Sequence, residues 1–162
     1  MTSPFLIEFR LHGYAKAYAR ELIYDVARKF KIPEVAVPHI TLYGPAETEN
    51  IGKVVHEVKR IGRKYALIPF KTKGFHNFNN KVVFLDITPS KLFEEFRWEL
   101  AQTLNNKMNE LIIQAPLPKD TNPKFGFHST IVFKDIDAKF PKIWKYIKSV
   151  EEPNINPISN ST

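Results

Sequence analysis

The sequence contains no cysteine, and this absence excludes several kinds of chemistry at once. Disulfide bonds, a thiolate nucleophile and metal sites built on thiolates all require that side chain. The 162-residue chain has only six glycines, which are scattered rather than grouped in a loop that could cradle phosphates. An active site therefore has to draw on other polar side chains, among which histidine is scarce at five residues.

Long apolar runs are also missing. No stretch approaches the roughly 20 residues that a helix needs to cross a membrane. Residues 1–10 lack the basic, apolar and small-residue segments of a signal peptide. We therefore expect a cytoplasmic protein that makes no membrane contact.

Basic residues exceed acidic ones, with 24 Lys and Arg against 17 Asp and Glu and a net charge of +7. Such an excess suits a polyanionic partner such as RNA, because phosphates are attracted to basic surface. Ordinary solubility charge is the alternative, and charge alone does not choose between the two. The hydrophobic fraction of 43% is enough for a globular interior.

Hydrophobic periodicity predicts an α+β fold with five strands and four helices. Residues 1–150 are predicted to form one domain, and residues 151–162, rich in Pro, Asn and Ser, a flexible tail. Gly44-Pro45 is predicted to close the second strand. The predicted strands cover residues 5–11, 35–43, 65–75, 81–87 and 125–133, and the predicted helices cover residues 14–31, 48–64, 88–109 and 139–149.

One pattern occurs twice along the chain: a strand, then a helix, then a strand that carries His-x-Thr. The first copy spans residues 5–43 and contains His39 and Thr41, whereas the second spans residues 81–133 and contains His128 and Thr130. The repetition predicts two pseudo-symmetric lobes, each with an antiparallel sheet flanked by helices, on either side of a central cleft.

The two His-x-Thr motifs offer the groups needed to cleave a phosphodiester. Because side chains alternate along a strand, each histidine and its threonine point the same way. A neutral histidine removes a proton from the attacking oxygen and a protonated one donates to the leaving oxygen, and an unperturbed pKa of ~6.5 lets both forms coexist. The threonine hydroxyls can donate hydrogen bonds to the phosphate oxygens. No metal is needed.

Other interpretations of these residues carry less weight. A single His-x-Thr on a strand is usually a surface or hydrogen-bonded residue, but two copies at matching places of a repeat are harder to explain by chance. No His-x-x-x-His or His-Glu-x-x-His pattern suggests a metal site. Ser129 follows His128, yet alternation points it to the opposite face, and no Gly-x-Ser-x-Gly elbow is present.

At residues 38–44 and 127–131 the sequence resembles the two-histidine phosphoesterase superfamily, and within it the 2′-5′ RNA ligase / RNA 2′,3′-cyclic phosphodiesterase family. The resemblance implies two α/β lobes around a cleft. It also implies hydrolysis of a 2′,3′-cyclic phosphate to a 2′-phosphate, or reversible 2′-5′ joining of RNA ends, without a metal or nucleotide cofactor. Carried over by position, the catalytic set is His39, Thr41, His128 and Thr130.

The resemblance also places His39 beside the leaving 3′ oxygen, whereas the residues alone leave the acid and base roles open. Two features depart from the family pattern. Many relatives have an arginine shortly after the second motif, where this chain has Lys134. Relatives also tend to continue with a strand after the last helix, for which residues 155–158 are a poor substitute.

Aromatic and basic residues near the motifs are candidates for holding the RNA. Tyr43 and Phe78 are predicted to stack on bases, and Lys124 and Lys134 to contact phosphates. The partner is thus expected to be RNA or a short oligonucleotide with a cyclic phosphate end, and the protein a monomer. Two alternatives stay open: a phosphodiesterase acting on 2′-5′ oligoadenylate or small cyclic nucleotides, and an RNA-binding module that has lost catalysis.

Overall fold

The computed structural model describes residues 1–35, 37–107, 110–112 and 114–150, and the backbone of residues 158–160. The predicted α+β fold is confirmed, with four α-helices and two antiparallel sheets among these residues. Along the described chain the elements are β1 (Ser3–Arg10), α1 (Gly13–Phe30), β2 (His39–Thr48), α2 (Ile51–Gly62), β3 (Leu67–Phe78), β4 (Val82–Pro89), α3 (Lys91–Asn105), β5 (His128–Val132), α4 (Phe140–Ser149) and β6 (Ile158–Asn160), with a 3₁₀ turn at Pro118–Thr121 before β5.

The strands form a first sheet of β1 and β2 and a second sheet in the order β5-β4-β3-β6. In each copy of the sequence pattern, the first strand pairs antiparallel with the strand that carries His-x-Thr. Strands β2 and β5 approach each other with Cα atoms within 8 Å, and α1 contacts β5 whereas α3 contacts β2. Each copy's helix therefore touches the other copy's motif strand. Pseudo-symmetry and the central cleft stay predictions.

Strand β2 covers residues 39–48 rather than 35–43: it begins later than predicted, and Gly44-Pro45 does not close it. The peptide bond between these residues is cis, and Gly44 has φ of +89°. A Cβ at this position would lie 3.1 Å from the carbonyl oxygen of Phe5, so glycine lets the two strands stay close. Pairing between β1 and β2 continues beyond this point to Ser3 opposite Thr48.

Capping side chains explain where two helices begin. The side chain of Asn50 accepts a hydrogen bond from the Lys53 amide at 3.1 Å, and Ser90 accepts one from the Phe93 amide at 3.2 Å. Helix α2 therefore begins at residue 51 rather than 48. Helix α3 ends at residue 105, and the predicted extension to residues 108 and 109 lies outside the described residues.

The C-terminal segment contributes an edge strand. Strand β6 pairs antiparallel with the first residues of β3, from Leu67 opposite Asn160 to Pro69 opposite Ile158. Residues 151–157 and 161–162 lie outside the described residues, so the flexible tail stays a prediction. No helix among the described residues is long and apolar enough to span a membrane.

Aromatic rings join the two sheets through α3. The ring of Phe93, on α3, lies 4.7 Å from the ring of Phe9 on β1 and 4.7 Å from that of Phe127 just before β5. All three side chains are buried. Burying a side chain of this size contributes roughly 1.5–3 kcal/mol, so this cluster is a substantial part of the core that sets the two motif strands side by side.

A buried arginine on α3 ties the first motif strand to the loop that precedes the second. The Arg97 side chain is only 1% exposed. Its guanidinium donates to the carbonyl oxygens of Asn122 and Lys119 at 2.6 Å each, and to that of Leu42 at 3.5 Å. It also lies 3.8 Å from the carboxylate of Asp120, which is equally buried. Asp120 in turn accepts a hydrogen bond from the Gly44 amide at 3.1 Å.

We predict that Arg97→Ala lowers the free energy of unfolding by about 3–5 kcal/mol, because it leaves three backbone carbonyls without their buried donor and leaves Lys119, at 3.0 Å, as the cationic partner of the Asp120 carboxylate. Equilibrium urea unfolding followed by circular dichroism measures this change. Arg60→Ala is the matched control, since Arg60 pairs with Glu57 on the surface of α2 and such pairs contribute at most about 1 kcal/mol. Equal losses in the two variants would contradict the structural role given to Arg97.

Candidate active site

The structure places all four predicted catalytic residues on the partly exposed side of their strands. His39 and Thr41 on β2, and His128 and Thr130 on β5, are each half-buried. The residues that alternate with them, Ile40, Leu42, Ser129 and Ile131, are buried. The predicted alternation is therefore present in both strands. Ser129 faces the core, so its hydroxyl is not placed to act as a nucleophile beside His128.

Both imidazoles are anchored to the backbone in the same way. Nδ1 of His39 lies 2.7 Å from the carbonyl oxygen of Val37, and Nδ1 of His128 lies 3.0 Å from that of Gly126. A carbonyl oxygen can only accept, so each Nδ1 carries the proton that is donated. This bond fixes the ring orientation and leaves Nε2 of each histidine as the atom that gains or loses a proton.

A carboxylate from β1 faces the first histidine. Glu8 stands opposite Thr41 in the β1–β2 pair, and its Oε1 lies 3.6 Å from Nε2 of His39. Its other carboxylate oxygen accepts a hydrogen bond from Nε of Arg10 at 3.2 Å. The sequence analysis missed Glu8, because its place opposite Thr41 depends on the pairing of β1 with β2.

Aromatic rings surround the second histidine instead. The Phe78 ring lies 5.4 Å from the His128 ring and the Phe84 ring lies 5.1 Å from it, both edge to face. Phe78 also stacks on Phe84 at 4.3 Å. Asn79 and Asn80 form the β3–β4 turn with φ of 49° and 58°, which puts Phe78 at the tip of the hairpin. Phe78 is 48% exposed and has ring surface available to a ligand.

Tyr43 does not occupy the position expected of a base-stacking residue. Its side chain is 1% exposed, and its hydroxyl donates to Oδ1 of Asn105 at 2.8 Å. Burial, followed by the nearby Asp120 carboxylate, raises the pKa of Tyr43 to about 12. Since β2 continues past Gly44, Tyr43 lies inside the fold rather than at a strand end, and it has no face free for a base.

The two predicted phosphate-binding lysines are exposed on either side of β5. Lys124 lies in the loop before the strand, and Lys134 lies two residues after its end. They flank the strand that carries His128, and their contact with a phosphate stays a prediction. No group of three or more His, Asp or Glu side chains in the described ranges is arranged to hold a metal ion.

The site can transfer protons at Nε2 of His39 and of His128, because Nδ1 of each ring is bonded to a backbone carbonyl oxygen. A threonine hydroxyl lies on the same face of each strand. A family model for the 2′-5′ RNA ligase superfamily matches residues 19–156, a range that contains both motifs. The chain belongs to this superfamily. The superfamily is part of the two-histidine phosphoesterases. The range of this chain that the family model matches begins within α1. No curated protein matches the chain.

Membership of the 2′-5′ RNA ligase superfamily gives the activity at the level of the family, a ligase-like phosphoesterase activity on RNA. Strand β1, which supplies Glu8, precedes the matched range. His76, on β3, is a further polar residue that the sequence analysis did not single out. It lies inside β3, with Nε2 3.8 Å from the carboxylate of Asp86 on β4.

We predict that His39 and His128, when neutral, both carry their proton on Nδ1, because each Nδ1 donates to a backbone carbonyl oxygen. Long-range ¹H–¹⁵N correlation spectra at alkaline pH distinguish this tautomer from the Nε2–H form. His56, exposed on α2, serves as the internal reference. An Nε2–H form at either motif histidine would contradict the anchored geometry.

Proposed function

We propose that this protein is an RNA 2′,3′-cyclic phosphodiesterase that produces 2′-phosphate ends, with reversible 2′-5′ RNA ligation when an RNA 5′ hydroxyl takes the place of water as the attacking group. The observation that carries the proposal is the matched anchoring of His39 and His128 through Nδ1, at 2.7 and 3.0 Å, on two neighbouring strands. Two equivalent proton-transfer atoms suit a reaction that needs an acid and a base at one phosphorus.

In the hydrolytic direction, water attacks the phosphorus and the bond from phosphorus to the 3′ oxygen breaks. One Nε2, neutral, takes a proton from the attacking water. The other Nε2, protonated, gives its proton to the leaving 3′ oxygen. The products are a 2′-phosphate and a free 3′ hydroxyl, and both histidines have exchanged protonation states. Following the family resemblance, His39 acts at the 3′ oxygen and His128 at the water.

The threonines complete the phosphate site. Thr41 and Thr130 share a face with their histidines, so each hydroxyl can donate to a non-bridging phosphate oxygen. Such donors stabilise the charge that builds up on these oxygens in the transition state. In this mechanism protons are moved by imidazoles and charge is held by hydroxyls, so no step depends on a metal ion.

The aromatic side of the site suits the nucleoside. Phe78 is exposed, and its ring stacks on the Phe84 ring and packs edge to face against the His128 ring. A base stacking on Phe78 would hold the attached phosphate next to the imidazole of His128. Stacking is tolerant of base identity, which fits an enzyme that reads an RNA end rather than a sequence.

We predict that His39→Ala and His128→Ala each reduce kcat on an RNA with a 2′,3′-cyclic phosphate end by roughly 10²–10⁴-fold, because each removes one proton-transfer group. The assay contains EDTA and separates 2′-phosphate from 3′-phosphate products by chromatography. Wild-type protein is expected to form the 2′-phosphate.

His56→Ala is the control, since it removes an imidazole from the surface of α2 and should leave kcat unchanged. Turnover that survives the loss of either motif histidine would reject the site. A folded wild-type protein that binds the RNA without converting it would reject the enzyme in favour of a binding module. Conversion of 2′-5′ oligoadenylate but not of the cyclic end would reject the substrate.

We predict that Phe78→Ala raises KM for the same RNA by roughly tenfold, because stacking on one base contributes about 1–3 kcal/mol. Steady-state kinetics should show the change in KM with a smaller change in kcat, since the ring transfers no proton. Tyr24→Ala, which removes an exposed aromatic ring from α1, is the matched control. An unchanged KM in Phe78→Ala would show that the base lies elsewhere.

A further inference from the structure

The second sheet has a side that carries His128 and Thr130 and extends across three strands. Residues directly opposite each other in an antiparallel pair share a face, and His128 pairs with Asp86 whereas Thr130 pairs with Phe84. Phe84 pairs in turn with His76 on β3. We call this surface the His128 face; its members are Lys71, Lys73, His76 and Phe78 on β3, Val82, Phe84, Asp86 and Thr88 on β4, and His128 and Thr130 on β5.

A β-bulge keeps the side chains of β3 on this face along its whole length. The pairing shifts between Thr72 and Phe75, and Gly74 has φ of +89°. Before the bulge the odd-numbered Lys71 and Lys73 are exposed; after it the even-numbered His76 and Phe78 are. Without the extra residue, His76 and Phe78 would turn into the core.

The result is a row of three basic side chains and one aromatic ring along β3. Lys71, Lys73, His76 and Phe78 are all exposed. Alternate residues of a strand lie about 6.7 Å apart, and β3 is two strands from β5, a distance of roughly 10 Å. The row therefore runs beside the His128 motif at a distance that neighbouring nucleotides of one RNA strand can span.

The charges on the His128 face favour the binding of a polyanion along this row of β3 side chains. Asp86 is the acidic member of the His128 face, and its carboxylate lies 3.8 Å from Nε2 of His76. Lys71 and Lys73 have no carboxylate opposite them in the register of the described strands, since Lys71 pairs with Thr88 and Lys73 lies in the bulge. Their side chains are exposed to solvent.

We infer that the β3 row is the binding surface for the single-stranded RNA leading to the reacting end, with Lys71 and Lys73 on backbone phosphates and His76 beside the base stacked on Phe78. A charged track interleaved with an aromatic ring is the usual means of holding single strands without reading sequence. The inference rests on the proposed function for its RNA partner and deepens it: the substrate is an oligonucleotide end rather than a free nucleoside cyclic phosphate.

The test is the affinity of the whole chain for a fluorescein-labelled ten-nucleotide RNA carrying a 2′-phosphate end, measured by fluorescence anisotropy at several salt concentrations. Lys71→Gln/Lys73→Gln should weaken binding several-fold at low salt. It should also reduce the slope of log Kd against log salt by about 0.7 for each phosphate that a lysine no longer neutralises. Lys142→Gln/Lys145→Gln on α4 removes the same charge from exposed positions and should leave the slope unchanged.

His76→Gln keeps a polar side chain at its position and should weaken binding less than the double lysine variant. Wild-type slopes in Lys71→Gln/Lys73→Gln, an equal loss in the α4 control, or no RNA binding by the wild-type protein would each overturn the inference. The assay measures binding alone. A protein that binds RNA through β3 but leaves cyclic ends intact would therefore reject the proposed function and keep the surface.

Discussion

The buried guanidinium of Arg97 is the constraint on which the arrangement of the site depends. It holds the Leu42 carbonyl, next to Thr41 of the first motif, and the carbonyls of residues 119 and 122 in the loop leading to the second motif. Its partner Asp120 holds the Gly44 amide of the same motif strand. A guanidinium presents five donors in a rigid planar fork, which suits several fixed acceptors at once. Helix α3, which supplies Arg97, therefore ties β2 to the loop that leads into β5.

Around this frame the two histidines have the same backbone anchor but different neighbours. His39 faces the carboxylate of Glu8, whereas His128 is set against Phe78 and Phe84. The first motif strand thus offers a charged side to the site and the second offers an aromatic side. The two sides of the site are therefore chemically different, and a nucleoside suits the aromatic side, beside His128. The proposed RNA surface on β3 continues the sheet on that same side.

Local pattern was enough to predict what depends on strand periodicity. The alternation of His39 with Ile40, and of His128 with Ser129, follows from the pleat alone. Tyr43 was wrong as a stacking residue because the strand does not end at Gly44, and only pairing with β1 reveals this. Glu8 and His76 reach the site through cross-strand register and, for His76, through a bulge. The periodicity of one segment does not predict the register in which it pairs with a distant segment.

The most direct test of the two-histidine mechanism is a crystal structure of the chain with a dinucleotide that ends in a 2′-phosphate. The mechanism predicts phosphate oxygens within about 2.6–3.2 Å of Nε2 of both His39 and His128, the distance needed for proton transfer. A phosphate bound elsewhere would contradict it. The clearest contrary result would be a phosphate in the cavity of about 420 Å³ beside α2, lined by Lys53, His56 and Lys107, with the histidine pair unoccupied.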